Sequence, residues 1–240
     1  MIEKKIKEEI EWFERAERKK HSEAHLFAHA QIKKKIVPLL KKLEAHNKKI
    51  LIAGIGSGAE IPSVFKVTKD VIGFDIALVS LKQCSEIFQI PLAVANCNAI
   101  PFKNESFDIV LAIGLLHHLI GQGELIDYLT QMQKTLRQGG YLIALEPNLF
   151  HPSGLVMTIC QKIKPGILGL VPHEVALSPL RLKQKFEKAG FRDIKIEAAS
   201  YVYNRFPLWF SKFIVKFEDK IREKWPFRFF GWFTLIYGKI

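Results

Sequence analysis

The chain has 240 residues, 48% of them hydrophobic, and a formal net charge of +12 at pH 7. This length fits one α/β domain with a substantial core. Its apolar stretches are interrupted by a charge or a proline well short of the roughly 18 residues that a membrane-spanning helix needs. The N-terminus is charged throughout and lacks the apolar centre of a signal peptide. The three cysteines are widely spaced and suggest a reducing compartment, so we expect a cytoplasmic protein.

The positive charge lies in the flanks of the chain. Residues 49–148 carry 7 Lys and Arg against 9 Asp and Glu, whereas residues 1–48 carry 13 against 8 and residues 201–240 carry 8 against 3. Basic flanks attract phosphate backbones or acidic lipid headgroups. A solvated lysine-rich surface has the same composition, so both interpretations stay open.

Residues 1–48 are predicted to be helical. Residues 3–20 have the apolar spacing of an amphipathic helix, and residues 32–46 continue as helix, with Pro38 as a start or a kink. Between them, three histidines follow one another at four-residue spacing on one helical face. They span about 12 Å along the helix axis, too far for one metal ion to bind all three. We therefore predict no metal site from the triplet His21, His25 and His29.

A glycine-rich turn organises the chain. Residues 49–60 read KILIAGIGSGAE, in which four apolar residues run directly into Gly54, Gly56 and Gly58. This pattern indicates a buried parallel strand that turns tightly into a helix, and glycine lets the backbone come close to a ligand. The free N–H groups of the next helix would point into the same crevice. The alternative is a tight connection without a ligand.

A second strand, VIGFD, ends in Asp75, 17 residues after Gly58. An acid at the tip of the second strand, about 20 residues past a glycine turn, is where a nucleotide ribose finds a carboxylate. An exposed helix-capping Asp is the simpler alternative. Gly54, Gly56 and Ala59 also satisfy the looser dinucleotide fingerprint, so these residues alone leave NAD open.

Strands and helices alternate regularly after residue 49, which predicts a parallel sheet with helices on both faces. The ends of the predicted strands would converge on one crevice at the carboxyl edge of the sheet. The predicted elements are strand 50–53, helix 59–67, strand 70–75, helix 78–88, strand 91–95, strand 108–113, helix 123–137 and strand 140–146.

Residues 95–119, which include ANCNAIPF and SFDIVLAIGLLHHL, carry the most specific pattern. They resemble the class I S-adenosylmethionine (SAM) dependent methyltransferases, in particular the small-molecule group that includes quinone and lipid methyltransferases. The resemblance covers roughly residues 45–200, and GYLIALEPN resembles the fifth strand of that family. One departure is Ile52, where the family usually has an acid. The matching residues are Asn96, Pro101, Phe102, Phe107, Asp108, Leu116, His117 and His118.

The resemblance implies a Rossmann-like, doubly wound α/β sheet of seven strands, mostly parallel, with an antiparallel last strand between the fifth and the sixth. It implies a SAM-binding domain over residues 49–240 and a helical cap over residues 1–48 that lies on the cofactor cleft. Glu60 or a carbonyl would replace the acid missing at Ile52. The implied cofactor-binding residues are Gly54, Ile55, Gly56, Gly58, Asp75, Ile76, Asn96, Cys97 and Gly114.

A catalytic base is needed only if the acceptor group carries a proton. His117, His118, Glu146 and His173 are the candidates, because they follow strand ends or lie in the insertion described next. Adjacent residues that leave a strand diverge, so at most one of the two neighbouring histidines should face the cleft. We take His117 as the predicted catalytic residue.

Two apolar, basic segments follow the alternating core. Residues 149–180 contain four prolines and are too apolar for a free linker, so we expect an insertion that covers the substrate end of the cleft. Residues 180–189 read as a helix and residues 191–198 as the sixth strand. In residues 208–221 the apolar residues share one helical side, which either packs on the sheet or lies on an acidic membrane.

The leading hypothesis is a SAM-dependent methyltransferase for a small, lipophilic acceptor, with peripheral contact to an anionic membrane. The alternatives are an RNA methyltransferase, motivated by the basic flanks, and a non-catalytic SAM-binding scaffold, motivated by Ile52. The GLLHH sequence after the fourth strand disfavours the branch that methylates exocyclic base amines, which usually has Asn/Asp-Pro-Pro-aromatic there. Nucleic acid is therefore not the favoured partner, and the sequence predicts no oligomeric state.

Overall fold

A computed structural model of the chain describes residues 2–15, 22–166, 170–171 and 173–240. His21, the first histidine of the predicted triplet, lies outside the described residues. His25 and His29 are stacked on one helix, with 4.4 Å between their ring centroids.

The described residues form a seven-stranded sheet with the order β3-β2-β1-β4-β5-β7-β6. The first five strands in chain order are parallel, and β7 is antiparallel to both of its neighbours. This order confirms the predicted doubly wound sheet, including the position of the last strand. The strands are β1 (Ile50–Ala53), β2 (Val71–Asp75), β3 (Leu92–Val94), β4 (Phe107–Ile113), β5 (Leu136–Pro147), β6 (Arg192–Ser200) and β7 (Phe233–Lys239).

The central strand β1 is buried on both faces of the sheet. Ile50 and Ile52 pack into one hydrophobic cluster, and Leu51 and Ala53 pack into another. A run of four apolar residues without alternation is what such a strand requires. Ile52, the position without the expected acid, is 1% exposed within this core.

Helices cover the two faces of the sheet. Several helices begin where the sequence provides a cap, such as Ser178 followed by Pro179. The helices are α1 (Ile2–Arg15), α2 (Glu23–Lys33), α3 (Ile36–Lys42), α4 (Ile61–Val64), α5 (Leu78–Ile87), α6 (Leu125–Thr135), α7 (Pro152–Ile163), α8 (Pro179–Lys188) and α9 (Leu208–Ile221). Short 3₁₀ helices lie at Ala45–Asn47, after α3, and at Phe227–Phe229, after α9.

Helix boundaries differ from the sequence-based expectation where turns intervene. The helix expected over 59–67 shrinks to α4, because three glycines with positive φ delay its start and the β-branched Val67 and Thr68 follow it. The helix expected over 32–46 divides into the end of α2 and α3, and Pro38 lies in the first turn of α3, where proline is tolerated.

The sheet order places a topological switch point between β1 and β4. These strands are hydrogen-bonded neighbours, yet the chain leaves β1 towards β2 on one side and reaches β5 from β4 on the other. Ligands bind at such points, outside the carboxyl ends of the strands. The glycine turn after β1 and the loop that follows β4 therefore lie at the opening where a nucleotide would be bound.

Candidate active site

The glycine turn after β1 forms the floor of a cleft at this switch point. Gly54, Gly56 and Gly58 all have positive φ, between 52° and 84°. A Cβ at Gly56 would meet no atom within 4 Å, so its backbone faces open space in the cleft. A Cβ at Gly54 would lie 2.7 Å from Leu115 Cδ1, so the two loops pack closely together. The turn can thus bring its backbone up to a ligand.

Asp75 at the end of β2 holds this turn in place. Its Oδ2 accepts a hydrogen bond from Gly56 N at 2.8 Å, and its Oδ1 accepts one from Ala77 N at 2.9 Å. Burial raises the pKa of the Asp75 carboxyl, and hydrogen bonds from the backbone oppose this effect. The carboxylate therefore shapes the cleft and still lines it.

Most of the predicted cofactor-binding residues line one cleft. Gly54, Gly56, Asp75, Ile76, Asn96, Cys97 and Gly114 are all in its wall. Burial raises the pKa of the Cys97 thiol to about 12, so it is neutral at physiological pH. The convergence that the strand ends predict is thus present in the structure.

Ile55 and Gly58 do not line the cleft and support the turn from behind. Ile55 is buried against Gly73, where a Cβ would lie 2.3 Å from Ile55 Cδ1. A Cβ at Gly58 would lie within 3 Å of Ile61, Cys84 and Phe88 side chains. These two residues position the turn by packing.

Glu60, the expected substitute for the acid missing at Ile52, is engaged with Lys33 in the structure. Its carboxylate lies 3.5 Å from Lys33 Nζ, which also donates to the carbonyl of Ala59, and Glu60 is not part of the cleft wall. The second acid of the wall is Glu9 in α1, far away in the sequence.

The loop after β4 is held by the buried carboxylate of Glu146 in β5. Its Oε1 accepts hydrogen bonds from Leu115 N at 3.1 Å and Leu116 N at 2.8 Å. Its Oε2 accepts from His117 N at 3.3 Å and lies 2.7 Å from His117 Nδ1. One fully buried side chain thereby fixes the whole turn that carries Gly114 and Leu115 into the cleft.

His117, the predicted catalytic residue, is buried behind the cleft and is not part of its wall. Its Nδ1 contacts Glu146, and its Nε2 lies 3.4 Å from Glu174 Oε1. Burial alone would lower the pKa of His117, but the two carboxylates raise it to about 10. A histidine held in this way is a poor proton acceptor near neutral pH, and the geometry argues against the prediction that it is the base.

The opposite wall of the cleft combines His118, a candidate from the sequence, with residues of α1 and with Gln122, which the sequence patterns did not indicate. Glu9 and Phe13 of α1 face His118 and Gln122, which follow β4. Gln122 Nε2 donates to Glu9 Oε2 at 2.6 Å, and Phe13 packs edge-on against the His118 ring. Glu9 lies among many Glu and Lys residues of an amphipathic helix, so no local signal distinguishes it.

His118 and His173 both lie beside Glu9. His118 Nδ1 is 3.0 Å from Glu9 Oε1, although the pair lacks hydrogen-bond geometry, and His173 Nε2 is 2.8 Å from Glu9 Oε2. Burial would raise the pKa of Glu9, but the two histidines outweigh it and hold the value at about 2. Glu9 is therefore ionised at physiological pH, and α1 is fastened to the cleft.

The cleft has about 770 Å³ of space, a value that includes solvent at its open mouth. Its wall combines apolar surface from Phe74, Ile76 and Leu119 with the polar groups of Asp75 and Asn96. A nucleoside needs an apolar slot for its base and a few polar groups for its ribose and base edge. The composition of this wall fits a nucleoside-containing cofactor.

Comparison with known proteins agrees with this description. Residues 51–144 match a family model described as a methyltransferase domain. The fold is similar to that of a SAM-dependent methyltransferase from Thermotoga maritima, which is described as a possible histamine N-methyltransferase. The similarity covers 90% of this chain and 91% of that chain, with a TM-score of 0.69 and 18% sequence identity.

Two uncharacterised proteins of Methanocaldococcus jannaschii are related in sequence. One is 28% identical over 145 residues, which are 57% of this chain and 55% of the relative. The other is 35% identical over 127 residues, which are 51% of each chain. The chain thus spans about half the length of the curated relatives that it matches.

The sheet order, the glycine turn and the acid at the end of β2 define the Rossmann-like fold of the class I methyltransferases. Residues 51–144 match the methyltransferase-domain model, and the solved structure of similar fold is a SAM-dependent methyltransferase. In the described part of the chain, no helix combines the length and the apolar content that crossing a bilayer would require.

Proposed function

We propose that this protein transfers a methyl group from SAM to a small, lipophilic acceptor. The observation that carries the proposal is the convergence of the glycine turn, Asp75, Asn96 and Gly114 on one cleft at the switch point of the sheet. Residues 1–48 would form a cap on this cleft, and an insertion over residues 149–180 would cover its substrate end. The cytoplasmic location stays a prediction.

The residues of the cleft suit the parts of SAM. Gly54 and Gly56 would hold the methionine portion with their backbone, Asp75 would accept hydrogen bonds from the ribose, and Ile76 and Asn96 would contact the adenine. When bound, SAM supplies a methyl group on a positively charged sulfur. The task of the chain is then to orient two substrates in a dry cleft rather than to stabilise new charge.

An acceptor that carries a proton would need a base near the cleft. Among the candidates from the sequence, Glu146 and His117 are buried and engaged with each other, whereas the His118 ring is part of the cleft wall. His118 therefore replaces His117 as the candidate for contact with the acceptor. Its position between Phe13 and Leu119 also favours an apolar or aromatic acceptor.

The surface of α9 supports a lipophilic acceptor and peripheral contact with an anionic membrane. Trp209, Phe213 and Phe217 form a stripe along this helix and are 73%, 53% and 48% exposed. The sequence left open whether this side packs on the sheet, and the exposed stripe argues against such packing. The buried residues of the helix are instead the polar Ser211 and Glu218.

Lysines lie next to this aromatic stripe, at positions 212, 216 and 220 of the same helix. Aromatic rings at a membrane surface sit among the headgroups, and each positive charge near an acidic surface contributes about 1 kcal/mol to binding. An exposed aromatic stripe beside basic residues therefore complements an anionic bilayer. A quinone, fatty or polyprenyl acceptor would be met at that surface.

Calorimetry with SAM and the Asp75→Asn variant tests the cofactor site. We expect wild-type protein to bind SAM and the variant to lose roughly 1.5–3 kcal/mol of affinity, because a hydrogen bond to a charged group is removed. Thermal unfolding of the variant must be followed in parallel, since Asp75 also holds Gly56. Unchanged SAM affinity, or tighter binding of NAD than of SAM, would contradict the proposal.

Incubation with methyl-labelled SAM and fractionated cell extracts tests the acceptor. A labelled product that partitions into organic solvent is the expected result. Label in RNA, together with RNA binding that weakens steeply between low and moderate salt, would favour the RNA methyltransferase instead. SAM binding without any labelled product would favour the non-catalytic scaffold.

Liposome flotation tests membrane contact. Trp209→Ser combined with Phe213→Ser should release the protein from anionic vesicles, because it removes the exposed aromatic stripe. Ile87→Ser is the matched control, since Ile87 is 61% exposed on α5 and the stripe does not include it. If wild-type protein stays unbound on strongly anionic vesicles at low salt, the membrane contact is refuted.

A further inference from the structure

A cluster of histidine and glutamate side chains lies directly behind the cleft wall. It consists of His117, His118 and Glu174, whose nearest ligand atoms are all within 4.8 Å of one another, and we call it the His–Glu cluster. His118 also belongs to the cleft wall, whereas His117 is buried behind it. The cluster thus joins the buried side of the β4 loop to the space that an acceptor would enter.

One distance within the cluster matches that between two ligands of one ion. His117 Nε2 and Glu174 Oε1 are 3.4 Å apart, which is long for a hydrogen bond between a ring nitrogen and a carboxylate. Two ligands that each bind a metal at about 2.0–2.1 Å with tetrahedral geometry lie roughly 3.3–3.4 Å apart. The distance therefore suits two ligands that share a cation.

Each histidine of the cluster has a carboxylate beside its Nδ1. Glu146 Oε2 lies 2.7 Å from His117 Nδ1, and Glu9 Oε1 lies 3.0 Å from His118 Nδ1. Metal-binding histidines almost always place one ring nitrogen against a carboxylate or carbonyl, which orients the ring and leaves the other nitrogen for the metal. The surroundings of His117 follow this arrangement, whereas Glu9 lies beside His118 Nδ1 without hydrogen-bond geometry.

Three buried carboxylates lie in or beside the cluster. Glu9, Glu146 and Glu174 are 5%, 0% and 9% exposed. Three carboxylates in this small volume must be compensated, either by protonated histidines or by a bound cation. A divalent ion would compensate them while the imidazoles stay neutral.

We propose that His117, His118 and Glu174 bind one divalent transition-metal ion. Two imidazoles and one carboxylate form a ligand set typical of Zn²⁺, Fe²⁺, Mn²⁺ or Co²⁺, with further positions left for a small molecule. The sequence carries no local signal of this site, because Glu174 is 56 residues away from His118.

The metal site is independent of methyl transfer, but its chemical role rests on the proposed function. A cation bound next to His118 would lie at the wall of the cleft. It would attract and polarise an oxygen-containing group of the acceptor, and it would lower the pKa of that group. The acceptor class would then be hydroxyl compounds such as phenols.

The test begins with protein stripped of metal by a chelator and does not require SAM. Titration with Zn²⁺ in a calorimeter should reveal one site per chain, and Co²⁺ should give visible absorption bands from nitrogen and oxygen ligands. Glu174→Gln and His118→Gln should each weaken Zn²⁺ binding by at least tenfold. The exposed His46→Ala variant should bind as wild type.

The outcomes separate this proposal from the proposed function. Zn²⁺ binding that is unchanged in both cluster variants, or that disappears when His25 and His29 are replaced, would overturn the metal site. Wild-type protein that takes up neither Zn²⁺ nor Co²⁺ would also overturn the metal site. A folding defect of a variant cannot explain that result. SAM binding by the metal-free protein is measured separately, so the failure of one proposal does not imply the failure of the other.

Discussion

Glu146→Gln hardly changes the size of the side chain, yet it should strongly lower the stability of the fold. The wild-type carboxylate is fully buried, accepts three backbone hydrogen bonds and contacts His117 Nδ1. The amide keeps the shape but loses the charge, and its NH₂ group faces N–H donors that it cannot accept from. Removing one partner of a buried ion pair costs about 3–5 kcal/mol. We expect the free energy of unfolding to fall by an amount in that range.

Urea denaturation followed by circular dichroism measures this loss. Glu187→Gln is the matched control, because Glu187 is half exposed and pairs with Lys183 on the surface of α8. A surface ion pair of this kind contributes no more than about 1 kcal/mol, so the control should stay close to wild type. SAM affinity should fall in the Glu146 variant only, since its loop carries Gly114 into the cleft. If Glu146→Gln unfolds within 1 kcal/mol of wild type, the anchoring role is wrong.

Two further predictions concern the glycine turn and the acid stability of the protein. Gly56→Ala and Gly58→Ala both place a Cβ at positive φ, so both variants should lose some stability. Gly58→Ala should lower the melting temperature more, because its Cβ also meets three packed side chains, whereas a Cβ at Gly56 meets no atom within 4 Å. Gly56→Ala should lower the SAM affinity measured by calorimetry, and equal melting temperatures of the two variants would contradict this reasoning. Burial lowers the pKa of His151 to about 4, below the 6.5 of the unfolded chain, so the unfolded state binds more protons between these values. Stability should therefore fall by up to about 3 kcal/mol as pH drops from 6.5 to 4. His151→Asn keeps the N-cap of α7 and should remove this part of the pH dependence of urea unfolding.

The cofactor side of the cleft could be predicted from the sequence because its signals are local. The glycine turn follows its own strand within a few residues, and Asp75 follows the next strand at the expected spacing. The parallel sheet with helices on both faces also follows from the alternation of strands and helices together with right-handed crossovers. The antiparallel direction of β7 was predicted only from the resemblance to a known family, because the apolar pattern of a strand does not specify its direction.

The other side of the cleft could not be predicted because its contacts join distant parts of the chain. Glu9 and Gln122 are 113 residues apart, and their hydrogen bond depends on how α1 docks. The sequence predicts His117 as the catalytic residue because it follows a strand end. In the structure the His117 side chain points towards Glu146, which lies 29 residues later in the chain. A strand end predicts where a residue lies in the sheet and not which way its side chain points.

The acid missing at Ile52 illustrates this limit. Glu60 is the acid that lies nearby in the sequence. Lys33 from α2 already pairs with its carboxylate. The carboxylate that lines the cleft together with Asp75 is Glu9, which reaches it from α1. The charge of the cleft is therefore set by the docking of a helix rather than by the strand motif. A substitution at Ile52 that restored the acid would place it in a core that β1 buries on both faces, and it should cost stability without restoring a ligand contact.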